Sequence, residues 1–135
     1  MAVYNNFDNY KEEIELSCVQ NHGVEIELYS IMAAVIRECC PDISLRDVSA
    51  RRLIKNETCD LRSVGGFPDF AVLTRSINDF QKLGCIEAKN TFEVFDDYKE
   101  QIECHRKTYE KVLFTNGLEW MFWDDTGKTI HGLFI

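Results

Sequence analysis

Two short segments of the chain carry side chains that could act together in catalysis. Asp69 precedes the apolar run Phe70-Ala71-Val72-Leu73, and Glu87 and Lys89 lie two residues apart near the end of a second apolar run. Residues i and i+2 of a β-strand point to the same face, so Glu87 and Lys89 are predicted to project together. If the two runs pair as a hairpin, Asp69 joins them. Two carboxylates could bind Mg²⁺ and an amine could act on an attacking water, as phosphodiester hydrolysis requires.

The pattern Pro68-Asp69 followed by Glu87-x-Lys89 resembles that of the PD-(D/E)xK nuclease superfamily, and is similar to that of small nuclease domains in bacterial restriction-modification systems. The resemblance covers roughly residues 23–123. It implies a metal-dependent endonuclease that hydrolyses DNA, of restriction or of mobile-element or phage defence type. It further implies Mg²⁺, with Mn²⁺ as a substitute, held by Asp69, Glu87 and the backbone carbonyl of residue 88, while Lys89 acts on the water.

The resemblance also implies a further metal-associated acid on the helix that precedes the sheet, for which Glu25 and Glu27 are the candidates. Glu25 shares a helical face with Leu28, Tyr29 and Met32, so it is expected to look inward and is favoured as a metal ligand. Glu27 aligns with a less apolar stripe. The alternative is that either glutamate only stabilises the helix N-terminus through the helix dipole.

A glutamine on the helix after the Glu-x-Lys strand orders the active site in the resembled group, and Gln101 inherits that role by position. The alternative for Gln101 is a solvent-facing polar residue. His105 lies four residues further along the same helical face. It stands where the Gln-x-x-x-Tyr form of this helix has an aromatic side chain, and this departure leaves the role of His105 open.

The order of apolar patterns and turn signals predicts an α/β (α+β) fold, in which helices flank a mixed central β-sheet, as in a restriction-endonuclease-like core. Residues 1–135 are expected to form a single nuclease-like domain. Predicted helices cover 9–20, 24–39 and a segment from Asp96 or Asp97 to about Lys111. Predicted strands cover 70–74, 83–88, 112–115, 118–123 and 129–134. Residues 44–52 are predicted to form a short helix or an extended link, and Leu53 and Ile54 to begin a strand.

The net charge of −8 opposes binding to nucleic acid, because such binding depends largely on neutralising phosphates. Bound metal ions would offset part of this charge. DNA is the expected partner, with RNA as an alternative, and a homodimer or a restriction-system partner subunit could deliver the substrate. The basic residues that either contact substrate or form solvated helix faces are Arg46, Arg51, Arg52, Lys55, Arg62, Lys99, His105, Arg106, Lys107 and Lys111.

The sequence disfavours a structural zinc site, a disulfide framework and a membrane-spanning protein. The six cysteines form no C-x-x-C pair, and no apolar run approaches the ~20 residues of a membrane span. A cytoplasmic protein with reduced cysteines is therefore expected. Two alternatives to a DNA-cleaving enzyme stay open besides an RNA nuclease. One is a catalytically silent nuclease-fold module that binds nucleic acid or protein, and the other is an interaction protein with an aromatic surface.

Overall fold

The computed structural model describes residues 7–49, 61–63, 66–124, 126 and 129–133. The α-helices in these ranges are α1 (Phe7–Asn21), α2 (Glu25–Cys39) and α3 (Lys99–Tyr109). The strands in the same ranges are β1 (Ile43–Asp47), β2 (Phe70–Thr74), β3 (Lys82–Ala88), β4 (Val112–Thr115), β5 (Glu119–Trp123) and β6 (Thr129–Leu133). A short 3₁₀-helix, Phe95–Tyr98, leads directly into α3.

The strands form one mixed sheet in the order β1-β2-β3-β4-β5-β6. Neighbouring strands are antiparallel except β3 and β4, which are parallel. A parallel pair requires a crossover connection, and α3 lies in the connection between these two strands. The prediction of an α+β fold with a mixed central sheet is confirmed.

The sheet is covered on both faces by helices. On one face, buried side chains of α1 and α2 pack against Phe70, Ile86 and Ala88. On the other face, Ile102 and Tyr109 of α3 belong to a second apolar cluster that includes neighbouring strand residues. Alternate residues of β3 therefore enter different cores, and Glu87 points to the face that α3 covers.

Helix α2 forms because its apolar residues recur at helical spacing and bury one broad face. The chain reverses before it at His22 and Gly23, which both have positive φ, and Pro41 follows its end at Cys39. Its buried residues are Leu28, Tyr29, Ile31, Met32, Ala33 and Val35.

Two of the sequence predictions require correction. The predicted helix or link over residues 44–52 is in part a strand, β1, because the segment pairs with β2 and buries Leu45. The third helix starts at Lys99 rather than at Asp96 or Asp97, which lie within the 3₁₀-helix. It ends at Tyr109 rather than Lys111, since Glu110 takes a φ of 64°. The strand predicted at Leu53 and Ile54 lies outside the described residues.

Within the described ranges, no α-helix combines the length and the apolar character that crossing a bilayer requires.

Candidate active site

Asp69 and Glu87 lie opposite each other at one end of the β2–β3 pair. Phe70 pairs with Ile86 in this antiparallel ladder, so the next step of the register sets Asp69 against Glu87. Side chains at directly opposite positions share a face and approach closely. Both residues are buried, with exposed fractions of 1% for Asp69 and 0% for Glu87. The sheet register thus brings together two of the carboxylates that the sequence singled out.

Lys89 extends β3 beyond Ala88 and contacts Glu87. Its backbone N–H donates to the carbonyl of Thr115 at 2.8 Å, which continues the pairing of β3 with β4. Its Nζ lies 3.1 Å from Oε1 of Glu87 and 4.6 Å from the centre of the Tyr98 ring. Burial lowers the pKa of the Lys89 amine, but the charge and hydrogen bond of Glu87 outweigh this effect, so the pKa is raised. Lys89 is therefore a cation held against a carboxylate.

Two side chains of α3, Gln101 and His105, also contact Glu87. Oε1 accepts a hydrogen bond from Nε2 of Gln101 at 3.3 Å, and Oε2 lies 3.0 Å from Nε2 of His105. Burial raises the pKa of Glu87, but the hydrogen bond with His105 and the charge of Lys89 outweigh it and hold the pKa below its usual value. Glu87 is thus the ionised member of the carboxyl pair.

Asp69 is held by hydrogen bonds to both of its oxygen atoms. The N–H of Ala88 donates to Oδ2 at 2.8 Å, and the hydroxyl of Tyr29 contacts Oδ1 at 2.7 Å. Burial and the negative charge of Glu87 raise the pKa of Asp69 to about 7, although these two hydrogen bonds oppose the rise. The negative charges of the two carboxyl groups therefore oppose each other, and a bound cation would weaken this repulsion.

Glu25 reaches this cluster through Tyr29. It is the first residue of α2, and the Tyr29 hydroxyl lies 2.7 Å from its Oε1. One hydroxyl proton cannot serve Glu25 and Asp69 at once, so the second contact needs a proton on a carboxyl group, which Asp69 can hold near neutral pH. Glu27 instead accepts a hydrogen bond from Asn21 in an exposed position. Of the two candidate acids, Glu25 is the one connected to the site.

Tyr29 was not predicted from sequence to belong to the site, and the role of His105 was open. Both residues are buried, and each contacts a site carboxylate. Tyr29 lies four residues after Glu25 and His105 four residues after Gln101, so helical spacing was a usable signal for both. His105 is therefore also excluded from the surface basic residues considered above. Of that set, Arg51, Arg52 and Lys55 lie outside the described residues.

The donor atoms of the site suit a hard cation such as Mg²⁺. Among the residues that the structure describes, no group of three or more His, Cys, Asp or Glu side chains is arranged to hold a metal ion. Mg²⁺, however, is commonly bound by one or two carboxylates, with water and substrate oxygen atoms completing its octahedron. The buried pair Asp69 and Glu87 fits that pattern.

Comparisons with known proteins indicate a fold. No family model matches the chain, and no curated protein matches it. A cryo-EM structure of a DrdV–DNA complex matches with a TM-score of 0.58 at 14% sequence identity. The match covers 92% of this chain but 12% of the DrdV chain, so the present chain corresponds to a small part of that protein. The likeness is one of fold.

Proposed function

We propose that this chain is a metal-dependent nuclease that hydrolyses phosphodiester bonds in DNA. The observation that carries the proposal is the convergence of three groups at the end of the β2–β3 pair. Asp69 and Glu87 are buried opposite each other, and Lys89 places its amine 3.1 Å from Glu87. Buried carboxylates with opposed pKa shifts are typical of functional sites rather than of ordinary sheet ends.

Asp69, Glu87 and the backbone carbonyl of Ala88 would hold Mg²⁺, with Mn²⁺ as a substitute. Glu25 would reach the ion directly or through water, and Tyr29 links it to Asp69. Bound here, the ion would polarise the phosphate and lower the pKa of a water molecule. The raised pKa of Asp69 supports a cation at this place, because a positive charge would favour the ionised carboxylate.

Lys89 would orient the attacking water and offset charge that develops on the phosphate. Its side chain is 14% exposed, so it is largely desolvated but still reaches the surface of the site. The contact with Glu87 and the Tyr98 ring fix the position of the amine. A preorganised cation in such surroundings stabilises a transition state more than a mobile surface lysine does. Gln101 would keep Glu87 in place through its hydrogen bond.

DNA is the proposed substrate because a solved structure with a similar fold, that of DrdV, is a complex with DNA. The net charge of −8 predicts weak binding by the chain alone. A homodimer, or a partner subunit of a restriction or defence system, would then supply part of the affinity. RNA is the alternative substrate, because carboxylates and a lysine do not distinguish the two sugars.

A catalytically silent binding module is the second candidate function. It is favoured by the absence of three converging metal-ligating side chains among residues 7–49, 61–63, 66–124 and the shorter described stretches. Both oxygen atoms of Asp69 are also engaged by other groups of the protein. Such a module would bind DNA without cleaving it in any divalent cation.

The experiment compares cleavage and metal binding in Lys89→Ala. Supercoiled DNA, single-stranded DNA and RNA are incubated with Mn²⁺ at low salt, and Mn²⁺ binding is measured by calorimetry. Lys89→Ala is expected to lower cleavage at least about 100-fold and to leave Mn²⁺ binding largely intact, since the amine is not a ligand. Gln101→Ala is expected to slow cleavage less.

The matched control is Lys107→Ala, which removes an exposed lysine from α3. It should cleave like the wild type. Equal cleavage by wild type and Lys89→Ala would contradict the role of Lys89. Binding of DNA by the wild type without cleavage in Mn²⁺ would favour the silent module.

A further inference from the structure

A chain of buried polar contacts runs from Glu87 through α3 to the segment that precedes Asp69. His105 has an exposed fraction of 0%, with Nε2 3.0 Å from Oε2 of Glu87 and Nδ1 2.6 Å from Oγ of Ser63. Ser63 and Gly66 form an isolated antiparallel bridge three residues before Asp69. His105 thus contacts one site carboxylate directly and Ser63, in the segment that leads to the other.

The hydrogen-bond network assigns the protons of this chain. The Glu87 carboxylate can only accept, so Nε2 of His105 carries the proton in the contact between them. The Ser63 hydroxyl lies within reach of both Nδ1 and the carbonyl of Gly66. That carbonyl already accepts from the Ser63 N–H at 2.9 Å. His105 therefore uses Nε2 to donate to Glu87, and its Nδ1 shares a hydrogen bond with the Ser63 hydroxyl.

We propose that His105 is a positioning residue that leaves Glu87 with one oxygen atom, Oε1, to bind a metal ion. This inference rests on the proposed function. With Oε2 committed to His105, Oε1 is the oxygen atom that contacts Lys89 and Gln101 and that would be left to bind a cation. Because His105 already fixes the carboxylate, Glu87 loses less conformational entropy when a metal ion binds. Residues that orient a metal ligand commonly contribute roughly 10–100-fold to metal affinity.

The same helix also fixes the segment that leads to Asp69. One turn after His105, the Tyr109 hydroxyl donates to the carbonyl of Leu61. Ser63 follows two residues later and contacts His105. Through His105 and Tyr109, helix α3 therefore contacts the segment that leads to Asp69. His105 contacts Glu87 as well. The two carboxylates are positioned relative to each other by α3 as well as by the sheet.

Two amide substitutions separate the two contacts of His105. In His105→Gln, the side-chain nitrogen lies near the place of Nε2 and can still donate to Glu87. In His105→Asn, it lies near the place of Nδ1 and can reach only Ser63. Mn²⁺ affinity, measured by calorimetry on the full chain, is expected to fall about 10–100-fold in His105→Asn. It is expected to fall less in His105→Gln, which loses the contact with Ser63 but keeps the contact with Glu87.

Lys107→Gln is the matched control, since it places the same amide at an exposed position of α3 and should leave Mn²⁺ affinity unchanged. Ser63→Ala provides a second test that keeps the imidazole, and a smaller loss of Mn²⁺ affinity is expected. Equal losses in the Gln and Asn variants would indicate that His105 only fills space and would overturn the inference. Unchanged Mn²⁺ affinity in a folded His105→Asn, or in Ser63→Ala should His105→Asn not fold, would also overturn it.

A metal-free measurement separates this inference from the proposed function. The ¹⁵N chemical shifts of the His105 imidazole are expected to show a proton on Nε2 in the wild type without any cation. An unprotonated Nε2 would overturn the positioning role alone. A wild type that binds no Mn²⁺ while its Nε2 is protonated would instead overturn the proposed metal site, and with it the part of this inference that concerns the cation.

Discussion

Asp69 and Glu87 are buried carboxyl groups of one site, but their neighbours move their pKa values in opposite directions. Burial and the charge of Glu87 raise the pKa of Asp69 to about 7. Glu87 is buried too, but His105 and Lys89 hold its pKa below the usual value. Opposed shifts of this kind mark sites where one carboxyl group can hold a proton that the other has lost. Near neutral pH, Asp69 is the group whose ionisation a cation would change.

The raised pKa of Asp69 predicts that the metal-free protein loses stability as pH rises from about 5 to about 8. Unfolded aspartate has released its proton by pH 5, given its ordinary pKa of 3.8, whereas folded Asp69 keeps it until about pH 7. The folded state binds more protons in this window, so the free energy of unfolding falls with rising pH. The lowered pKa of Glu87 changes the free energy of unfolding only below this pH window, and the raised pKa of Lys89 changes it only above the window.

The measurement is a series of thermal melts in EDTA from pH 5 to pH 8, with Asp69→Asn as the reference. The wild-type melting temperature should fall relative to that of Asp69→Asn across the series, and Mn²⁺ should reverse the fall. Parallel pH profiles for the two proteins would contradict the assigned protonation of Asp69.

Tyr29→Phe removes the hydroxyl that contacts Glu25 and Asp69. A buried carboxyl group then loses a hydrogen-bond partner, so the free energy of unfolding should fall by about 1–3 kcal/mol in urea titrations. The hydrogen bond from Tyr29 opposes the rise in the Asp69 pKa, so its loss should move the midpoint of the pH profile upward. Tyr10→Phe removes another buried hydroxyl, which donates to the carbonyl of Gly117 at 2.8 Å rather than to a carboxylate. That variant should lose stability without moving the midpoint, and a shift common to both variants would contradict the assignment.

At the scale of the elements, strands β2 and β4 were predicted at the residues where they occur, because alternating apolar residues and flanking turn signals are local properties. Strand β1 was not, since its pairing with β2 decides its conformation rather than its own pattern. Glu87 and Lys89 could be grouped from sequence through strand periodicity, and Asp69 through the expected hairpin and the resemblance of the motif. Helical spacing set Tyr29 beside Glu25 and His105 beside Gln101, but their contacts with Asp69 and Glu87 depend on how two helices approach opposite faces of the sheet.

The close approach of β3 to the residue before β4 requires glycine at position 84. A Cβ there would lie 2.9 Å from the backbone oxygen of Lys111. Gly84→Ala should therefore lower the free energy of unfolding by about 1–3 kcal/mol, as overpacking does in well-packed cores. Because Gly84 lies at the other end of β3 from Lys89, the increase in melting temperature on adding Mn²⁺ should persist. Unchanged urea denaturation of Gly84→Ala would contradict this account of the strand.

At the scale of the whole molecule, the net charge of −8 sets how the chain should bind DNA. A protein that binds DNA through many phosphate contacts loses affinity steeply with salt. Here we expect weak binding in EDTA with a shallow dependence on salt, and tighter binding when Mn²⁺ offsets the carboxylates. Fluorescence anisotropy with Lys89→Ala allows the measurement without cleavage. Tight and steeply salt-dependent binding in EDTA would contradict this expectation.

The measurement that tests the central claim most directly is the cleavage of supercoiled DNA in Mn²⁺ by the wild type, Asp69→Ala and Glu87→Ala. The account predicts cleavage by the wild type, and its loss together with Mn²⁺ binding in both variants, because each removes one of the two carboxylates that face each other across β2 and β3. Cleavage that survives in both variants would contradict it.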